Sequence, residues 1–268
     1  MKTTRVVLIT GATRGIGLEL ANQLALRGDI VYGAGRKPPS SENYRFTYLP
    51  MNLTDDRSVT DAIFRIISER SRIDVLINNA GVGQCGAVEE TQIDDAKKVF
   101  ETNYWGTVRT LQAVLPFMRK AGKGLIVNVS SAAGKIAIPF QAHYCASKFA
   151  LEGLTEALNH ELKPYGIRVV LVEPGDVGTS IWEQTAKGLV EKSAYSESLK
   201  RFLAVKEREM GASADSPANV AGEIIRIIDN RKPTFRNPVA HGAAFVLAAR
   251  KLLPDGIFLK LTARNYKV

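Results

Sequence analysis

Two places in the sequence carry residue types able to do chemistry together. Tyr144 and Lys148 stand four apart, so in a helix both side chains lie on one face, one turn apart. A free tyrosine has a pKa near 10 and is a poor acid or base at neutral pH. A neighbouring ammonium favours the phenolate and lowers that pKa toward the working range, and Lys148 is placed for that role. Ser131 follows the apolar run Leu125–Val129, at the strand end where ligands bind in open α/β sheets. The second place is Thr10-Gly11-Ala12-Thr13-Arg14-Gly15-Ile16-Gly17, between an apolar run and a helical pattern. A turn without Cβ atoms lets backbone N–H groups and a helix N-terminus approach a pyrophosphate. Its last glycine lets helix and strand pack closely.

These groups need a scaffold, and the patterning supplies one. Val6-Val7-Leu8-Ile9, Ile30-Val31-Tyr32, Phe46–Leu49, Val75-Leu76-Ile77, Leu125-Ile126-Val127 and Val169–Val172 are short apolar runs. Helical patterns separate most of them: Leu18, Leu20, Ala21, Leu24 and Leu26 up to Gly28; Asp55 to Arg70 with Val59, Ile63, Ile66 and Ile67; and Tyr144 to Glu161. Strands apolar on both sides belong to a parallel sheet covered by helices on both faces. The expected fold is therefore a single doubly wound α/β sheet of about seven strands. A (β/α)₈ barrel is the runner-up and needs more repeats than the six clear strands and one irregular one. A further helix starts at Ser216-Pro217, a capping residue followed by proline, with Val220, Ile224, Ile227 and Ile228 inward. With no linker, repeat or low-complexity tract, residues 1–268 read as one domain. Two segments break the rhythm: a polar, helix-prone insertion without a strand at about 179–211, where a substrate lid is expected, and a basic C-terminal extension at about 231–268.

The motifs resemble those of the short-chain dehydrogenase/reductase family along nearly the whole chain. Thr10-Gly11-x3-Gly15-Ile16-Gly17 matches its glycine motif, and Asn78-Asn79-Ala80-Gly81 its Asn-Asn-Ala-Gly. Asn103 matches its helix asparagine; Ser131, Tyr144 and Lys148 match its Ser and Tyr-x3-Lys set; Pro174-Gly175 matches its Pro-Gly. The resemblance implies a Rossmann-type fold and specific roles. Tyr144 exchanges a proton with the carbonyl or alcohol oxygen, and Ser131 polarises that oxygen. Lys148 lowers the Tyr144 pKa and holds the nicotinamide ribose, and Asn103 positions a water linking Lys148 to solvent. The 13-residue gap to the tyrosine favours Ser131 over Ser130. Asn79, Ala80, Gly81, Pro174, Gly175, Val177 and Thr179 join the cofactor site.

The end of the second strand reads Tyr32-Gly33-Ala34-Gly35-Arg36-Lys37. It lacks the acid that accepts from a ribose 2′-OH in NAD-preferring sites. Arg36, Lys37 and Arg14 instead suit a 2′-phosphate, so NADP(H) is the expected cofactor. The family has Asp where Asn52 stands, before Leu53, to accept from adenine; an Asn oxygen still accepts.

The resemblance places Gly83–Gly86, the loop from Ala132 to His143 and the 179–211 insertion around the substrate carbonyl. Pro139, Phe140, Ile181 and Trp182 give that rim an apolar cast, favouring a hydrophobic alcohol or ketone, with Ser131, Phe140, Tyr144 and Trp182 as substrate contacts. Arg231-Lys232-Pro233 and Leu252-Leu253-Pro254-Asp255 resemble the 17β-hydroxysteroid and retinol dehydrogenase branch, implying steroid-, retinoid- or other lipid-like substrates. A catalytically silent NADP-sensing or scaffold protein on the same fold is the alternative; the intact Asn103, Ser131, Tyr144, Lys148 set speaks against it. The family's pairing of the helices around Asn103–Met118 and Tyr144–Leu162 implies a homo-oligomer, a dimer or tetramer.

Composition limits the remaining classes. The 268 residues are 45% hydrophobic and 24% charged, which excludes a disordered chain. Two cysteines, Cys85 and Cys145, are too few for a disulfide framework, so a reducing, cytoplasmic setting is expected. Cys145 is read as a small helix-packing residue. Met1-Lys2-Thr3-Thr4-Arg5 leads straight into a strand without a leader pattern, and no apolar run is long enough to span a membrane. His143, His160 and His241 are too scattered for a metal site. The formal charge is +9, from 36 Lys and Arg against 27 Asp and Glu. Eight of those cations and one acid fall in residues 231–268, so the remainder is close to neutral. Nucleic-acid binding lacks a recognition helix or interleaved basic and aromatic residues. The tail alternates cations with Ala243–Leu247 and Ile257-Phe258-Leu259. It reads either as a solvated basic helix folded on the sheet edge, which is favoured, or as a peripheral contact with anionic lipid.

Overall fold

The computed structural model describes residues 4–179, 186–187, 193–212 and 214–268. In chain order the first half runs β1 (Val6–Thr10), α1 (Gly15–Leu26), β2 (Ile30–Gly35), β3 (Thr47–Pro50), α2 (Asp56–Arg70), β4 (Val75–Asn78), β5 (Gln84–Cys85), α3 (Ile93–Phe100) and α4 (Gly106–Ala121). The second half runs β6 (Gly124–Val129), α5 (Ala142–Leu162), β7 (Ile167–Pro174), β8 (Ala186–Lys187), α6 (Ser196–Ala212), α7 (Pro217–Asp229), β9 (Arg236–Val239), α8 (Ala243–Leu252) and α9 (Asp255–Tyr266). Seven strands form one parallel sheet in the order β3-β2-β1-β4-β6-β7-β9. The order reverses between β1 and β4, which opens a crevice at their carboxyl ends.

Alternation along each strand explains the continuous apolar runs. Val7 and Ile9 of β1 join one core with Leu20 and Leu24 of α1 and Val220, Ile224 and Ile228 of α7. Val6 and Leu8 point the other way, into a core with Val59, Ile63 and Ile66 of α2, Leu111 and Val114 of α4, and Leu158 of α5. Each such side chain stabilises the fold by about 1.5–3 kcal/mol when fully buried. Leu26, expected in the α1 stripe, is exposed; it lies in the last turn, before Gly28 turns the chain at φ +87°. Asp55 caps α2 by accepting from the Arg57 and Ser58 amides at 2.9 and 3.2 Å. Ser216 caps α7 through the Asn219 amide.

Two expectations are corrected. The insertion at 179–211 contains a short strand: Ala186–Lys187 pairs in parallel with Gln84–Cys85. The segment 231–268 does not begin as an appendage, because Arg236–Val239 supplies the edge strand beside β7. Pro238, which cannot donate to a ladder, is tolerated at such an edge. Arg236 is not a solvated charge either. It pairs with Glu152 and, at 3.0 Å, with Glu173, both buried, and with Glu156 at 3.1 Å. Beyond β9 the tail forms two short helices rather than one. Tyr266 of α9 packs on Phe202 of α6 with ring centroids 5.3 Å apart, while Phe245, Leu252 and Leu259 are exposed.

Candidate active site

The glycine turn is held in the crevice by both neighbouring strands. The Ala12 amide donates to the carbonyl of Ala34 on β2 at 3.0 Å. Asn79, just past β4, donates its side-chain amide to the carbonyls of Thr10 and Gly11 at 3.0 and 3.2 Å. The Thr10 hydroxyl accepts from the Asn79 and Ala80 amides, both at 3.1 Å. Thr10 and Asn79, expected as cofactor contacts, thus have side chains committed to the turn itself. Gly11 and Gly15 have φ of +66° and +56°, left-handed values that favour glycine. A Cβ on Gly17 would stand 2.3 Å from the Gly11 carbonyl oxygen and 2.5 Å from Asn79 Nδ2.

The residues present fit a dinucleotide. Arg14 precedes α1 in extended conformation and gives it no side-chain cap, and the first turn holds no acid, so its first N–H groups face the cradle of Gly15, Ile16 and Gly17 unclaimed. Thr13 lies against Gly35, where a Cβ would stand 2.5 Å from Thr13 Cγ2. This brings the end of β2 to the turn, with Arg36, Lys37 and Arg14 exposed. Among the described residues none of these three is in an ion pair. The side-chain oxygen of Asn52 accepts from the Thr54 amide and hydroxyl at 3.3 and 3.1 Å, and Leu53 accepts Arg109 on its carbonyl. Across the crevice a Cβ on Gly81 would lie 3.4 Å from Asn103 Oδ1 and 3.7 Å from Lys148 Nζ. Pro174 ends β7, and the Gly175 amide donates to Val239. Val177 is buried, and Thr179 reaches Gly15, its Cγ2 3.3 Å from where a Cβ would stand.

Ser131, Tyr144 and Lys148 converge at the carboxyl end of β6. Ser131 opens a short 3₁₀ turn, Ala132–Gly134, and its hydroxyl accepts from the Ala133 amide at 3.1 Å. It also neighbours the Tyr144 hydroxyl closely enough to favour its ionised form. Ser130 is buried and turns inward, where a Cβ on Gly134 would stand 2.6 Å from its hydroxyl. Tyr144 and Lys148 occupy one face of α5. The Lys148 ammonium is buried and donates to the Val129 carbonyl at 2.9 Å.

The electrostatics differ from the expectation. Burial pushes the Tyr144 pKa up, opposed by the Ser131 hydrogen bond. The Lys148 pKa is itself lowered to about 8 by burial, against the nearby Glu152 carboxylate. Desolvation acts on both groups and outweighs their mutual influence. Burial likewise pushes the Cys145 thiol up, in keeping with a packing role for that residue.

Asn103 has its side chain engaged by protein groups. It sits in a π-helical turn, Glu101–Trp105, between α3 and α4. Its side chain accepts from the Val82 amide at 2.8 Å and donates to the Val82 carbonyl and the Ser147 hydroxyl, both at 3.0 Å. Asn103 therefore straps the segment after β4 onto α5. Sequence reasoning also missed a buried polar ladder beneath the site. Asn78 donates to Asn128 at 2.8 Å, Thr110 to Asn78 at 2.7 Å, and Asn128 to Thr155 at 2.9 Å. Its only local signal is an asparagine within or ending an apolar run.

On the substrate side Phe140 adopts φ +59° and stacks near Phe202, centroids 5.5 Å apart. Trp182 and Ile181 lie outside the described residues.

A model of the short chain dehydrogenase family matches residues 5–189. A 3-ketodihydrosphingosine reductase of Bacteroides thetaiotaomicron is 40% identical over 257 residues, 94% of each chain. Human 17-beta-hydroxysteroid dehydrogenase type 1 is 34% identical over 86% of this chain and 76% of its own. Bovine retinol dehydrogenase 8 is 32% identical over 94% and 86%. Among solved structures, a short-chain dehydrogenase from Streptomyces avermitilis superposes with a TM-score of 0.82 at 31% identity, over 97% and 96% of the two chains. One from Burkholderia cenocepacia, solved with NADP, gives 0.78 at 25% identity over 96% and 97%. The fold alone is shared with a Burkholderia phymatum protein solved with NAD, at 0.77 and 24% identity over 96% and 95%.

Proposed function

Because the chain belongs to the short-chain dehydrogenase/reductase family, in the 17β-hydroxysteroid and retinol dehydrogenase-like branch, we propose that it is an NADP(H)-dependent oxidoreductase. Its substrate is a hydrophobic carbonyl compound or the matching secondary alcohol. One observation carries this reading: Ser131, Tyr144 and Lys148 meet at the carboxyl end of β6, across the crevice from the uncapped N-terminus of α1. When bound, the nicotinamide supplies or takes the hydride. Tyr144 gives its hydroxyl proton to the substrate oxygen in reduction and recovers it in oxidation. Ser131 donates a hydrogen bond to the same oxygen and stabilises the charge developing there. Lys148 and the backbone around Gly81 hold the nicotinamide ribose, with Asn103 as a positioning residue. Arg36, with Lys37 and Arg14, binds the 2′-phosphate.

Support for the substrate class comes from the partly exposed Phe140, backed by the buried Phe202, and from the relatives, which are named for sphingoid, steroid and retinoid substrates. An NADPH-oxidation screen against long-chain ketones, steroid ketones and retinal tests this reading. Turnover of at least one, abolished by Tyr144→Phe, supports it; no turnover of any member overturns it.

Two assembly readings have observations behind them. Trp105 and Phe149 are exposed at the start of α4 and on α5, suited to pairing of two copies. Phe245 and Leu252 are 81% and 79% exposed, beside Lys251 on α8. This combination suits peripheral contact with anionic lipid. Sedimentation velocity tests the first, and co-sedimentation with phosphatidylserine vesicles before and after Phe245→Ser tests the second. Among the described residues no helix is long and apolar enough to cross a membrane.

A further inference from the structure

α6 carries Lys206 into an apolar cluster with Leu199, Phe202 and Tyr266, and buries it there. Its ammonium pairs with Asp176 at 2.8 Å and Glu209 at 2.9 Å. An ion pair buried among apolar side chains adds little stability over apolar residues of the same volume, so packing alone does not account for it. Among the described residues, two carboxylates and one ammonium leave one negative charge uncompensated. Exposure sorts the three side chains: Lys206 6%, Glu209 21% and Asp176 41%. Glu209 also accepts from Asn265 at 3.3 Å, whereas the second oxygen of Asp176 has no partner among the described residues. The cluster therefore presents a carboxylate edge outward.

That edge borders the reacting centre. Asp176 follows Pro174-Gly175 at the end of β7, beside the β6 strand that leads into Ser131; Val129 and Val172 are register partners. Three residues later Thr179 touches the glycine turn. On the other side Phe202 links Tyr266 to Phe140, centroids 5.3 and 5.5 Å apart, and Phe140 precedes Tyr144 by one helical turn's length of chain. The Tyr144 hydroxyl feels the charges of both Lys206 and Asp176.

We propose that Asp176, held in place by Lys206, binds a protonated amine carried beside the substrate's carbonyl, while Phe140, backed by the buried Phe202, borders its hydrocarbon chain, so that the site selects amphiphilic amino ketones over plain ketones. This rests on the Ser131–Tyr144–Lys148 cleft being the carbonyl site. Lys206 is a positioning residue, its charge already engaged by two carboxylates.

Binding tests the assignment without turnover. Calorimetric titration of the NADP-loaded protein with dodecylammonium and with 1-dodecanol should give at least about tenfold tighter binding of the amine. Asp176→Asn should bring the two within about threefold, and Asp176→Glu should restore most of the preference. Equal affinities in the unaltered protein overturn the proposal, as does an undiminished preference in Asp176→Asn. NADPH oxidation with 3-ketodihydrosphingosine and 3-octadecanone separates the two readings. An amine preference without reduction of either ketone overturns the proposed activity and leaves the head-group site. Reduction of both ketones with equal kcat/KM overturns the head-group site alone.

Discussion

The Lys148 ammonium donates to the backbone carbonyl of Val129 at 2.9 Å, in a position almost closed to water. Burial lowers its pKa to about 8, below the ordinary lysine value of about 10.4. Between those two values the unfolded chain binds more protons at this site than the folded one, so the site's contribution to stability rises with pH through that window. Below about pH 8 the fold bears the full cost of the buried charge, on the order of 3 kcal/mol. Urea unfolding of the unaltered protein and of Lys148→Met at pH 7 and pH 9.5 isolates this site. The unaltered protein should gain on the variant at the higher pH; a constant difference would mean that the ammonium is not penalised by burial.

Tyr144→Phe removes the hydroxyl beside Ser131 and leaves the ring in place. We expect kcat to fall by about 10²–10⁴-fold, the range for losing a general acid–base group. NADPH binding, followed by fluorescence titration, should stay within about threefold, since no cradle contact involves that hydroxyl. Near-normal turnover would remove Tyr144 from its role.

Arg36 stands exposed at the end of β2, close to Thr13 of the glycine turn. A charge-assisted hydrogen bond contributes roughly 1.5–3 kcal/mol, or about one to two decades of affinity. Arg36→Asp should therefore lower kcat/KM with NADPH by roughly 10–100-fold and raise it with NADH. An unchanged ratio for the two cofactors would show that the 2′-phosphate is held elsewhere.

Arg236 joins the edge strand to α5 by meeting Glu152 and Glu173, both buried. Burial and the Glu152 charge push the Glu173 pKa up even with the guanidinium present. Arg236→Met should cost about 3–5 kcal/mol, because it leaves buried carboxylates unpaired. The deficit should shrink as pH falls, because protonation of Glu173, whose pKa is already raised, relieves its unpaired charge. A loss under about 1 kcal/mol at pH 7 would place this cluster in the class of solvated surface pairs.

The sequence alone determined what is encoded within a few residues. Alternation of strand and helix patterns specified the parallel sheet, since strands such as Val6–Ile9 are apolar toward both faces. The glycine spacing specified the cradle, because Gly11 and Gly17 tolerate no Cβ. The four-residue step from Tyr144 to Lys148 specified a shared helix face, and Ser216-Pro217 a helix start. The last strand was not legible, because Arg-Asn-Pro-Val lacks an apolar run and is a strand only through its pairing with β7. Tertiary structure alone decided which charges meet: Asp176 with Lys206 across 30 residues, and Glu152 with Arg236 across 84. It also decided that burial, rather than the neighbouring lysine, dominates the Tyr144 hydroxyl, and that Asn103 grips Val82. Periodicity and turn chemistry are local and survive in the linear chain. Desolvation and ion pairing arise only when the closed sheet brings distant segments together and excludes water between them.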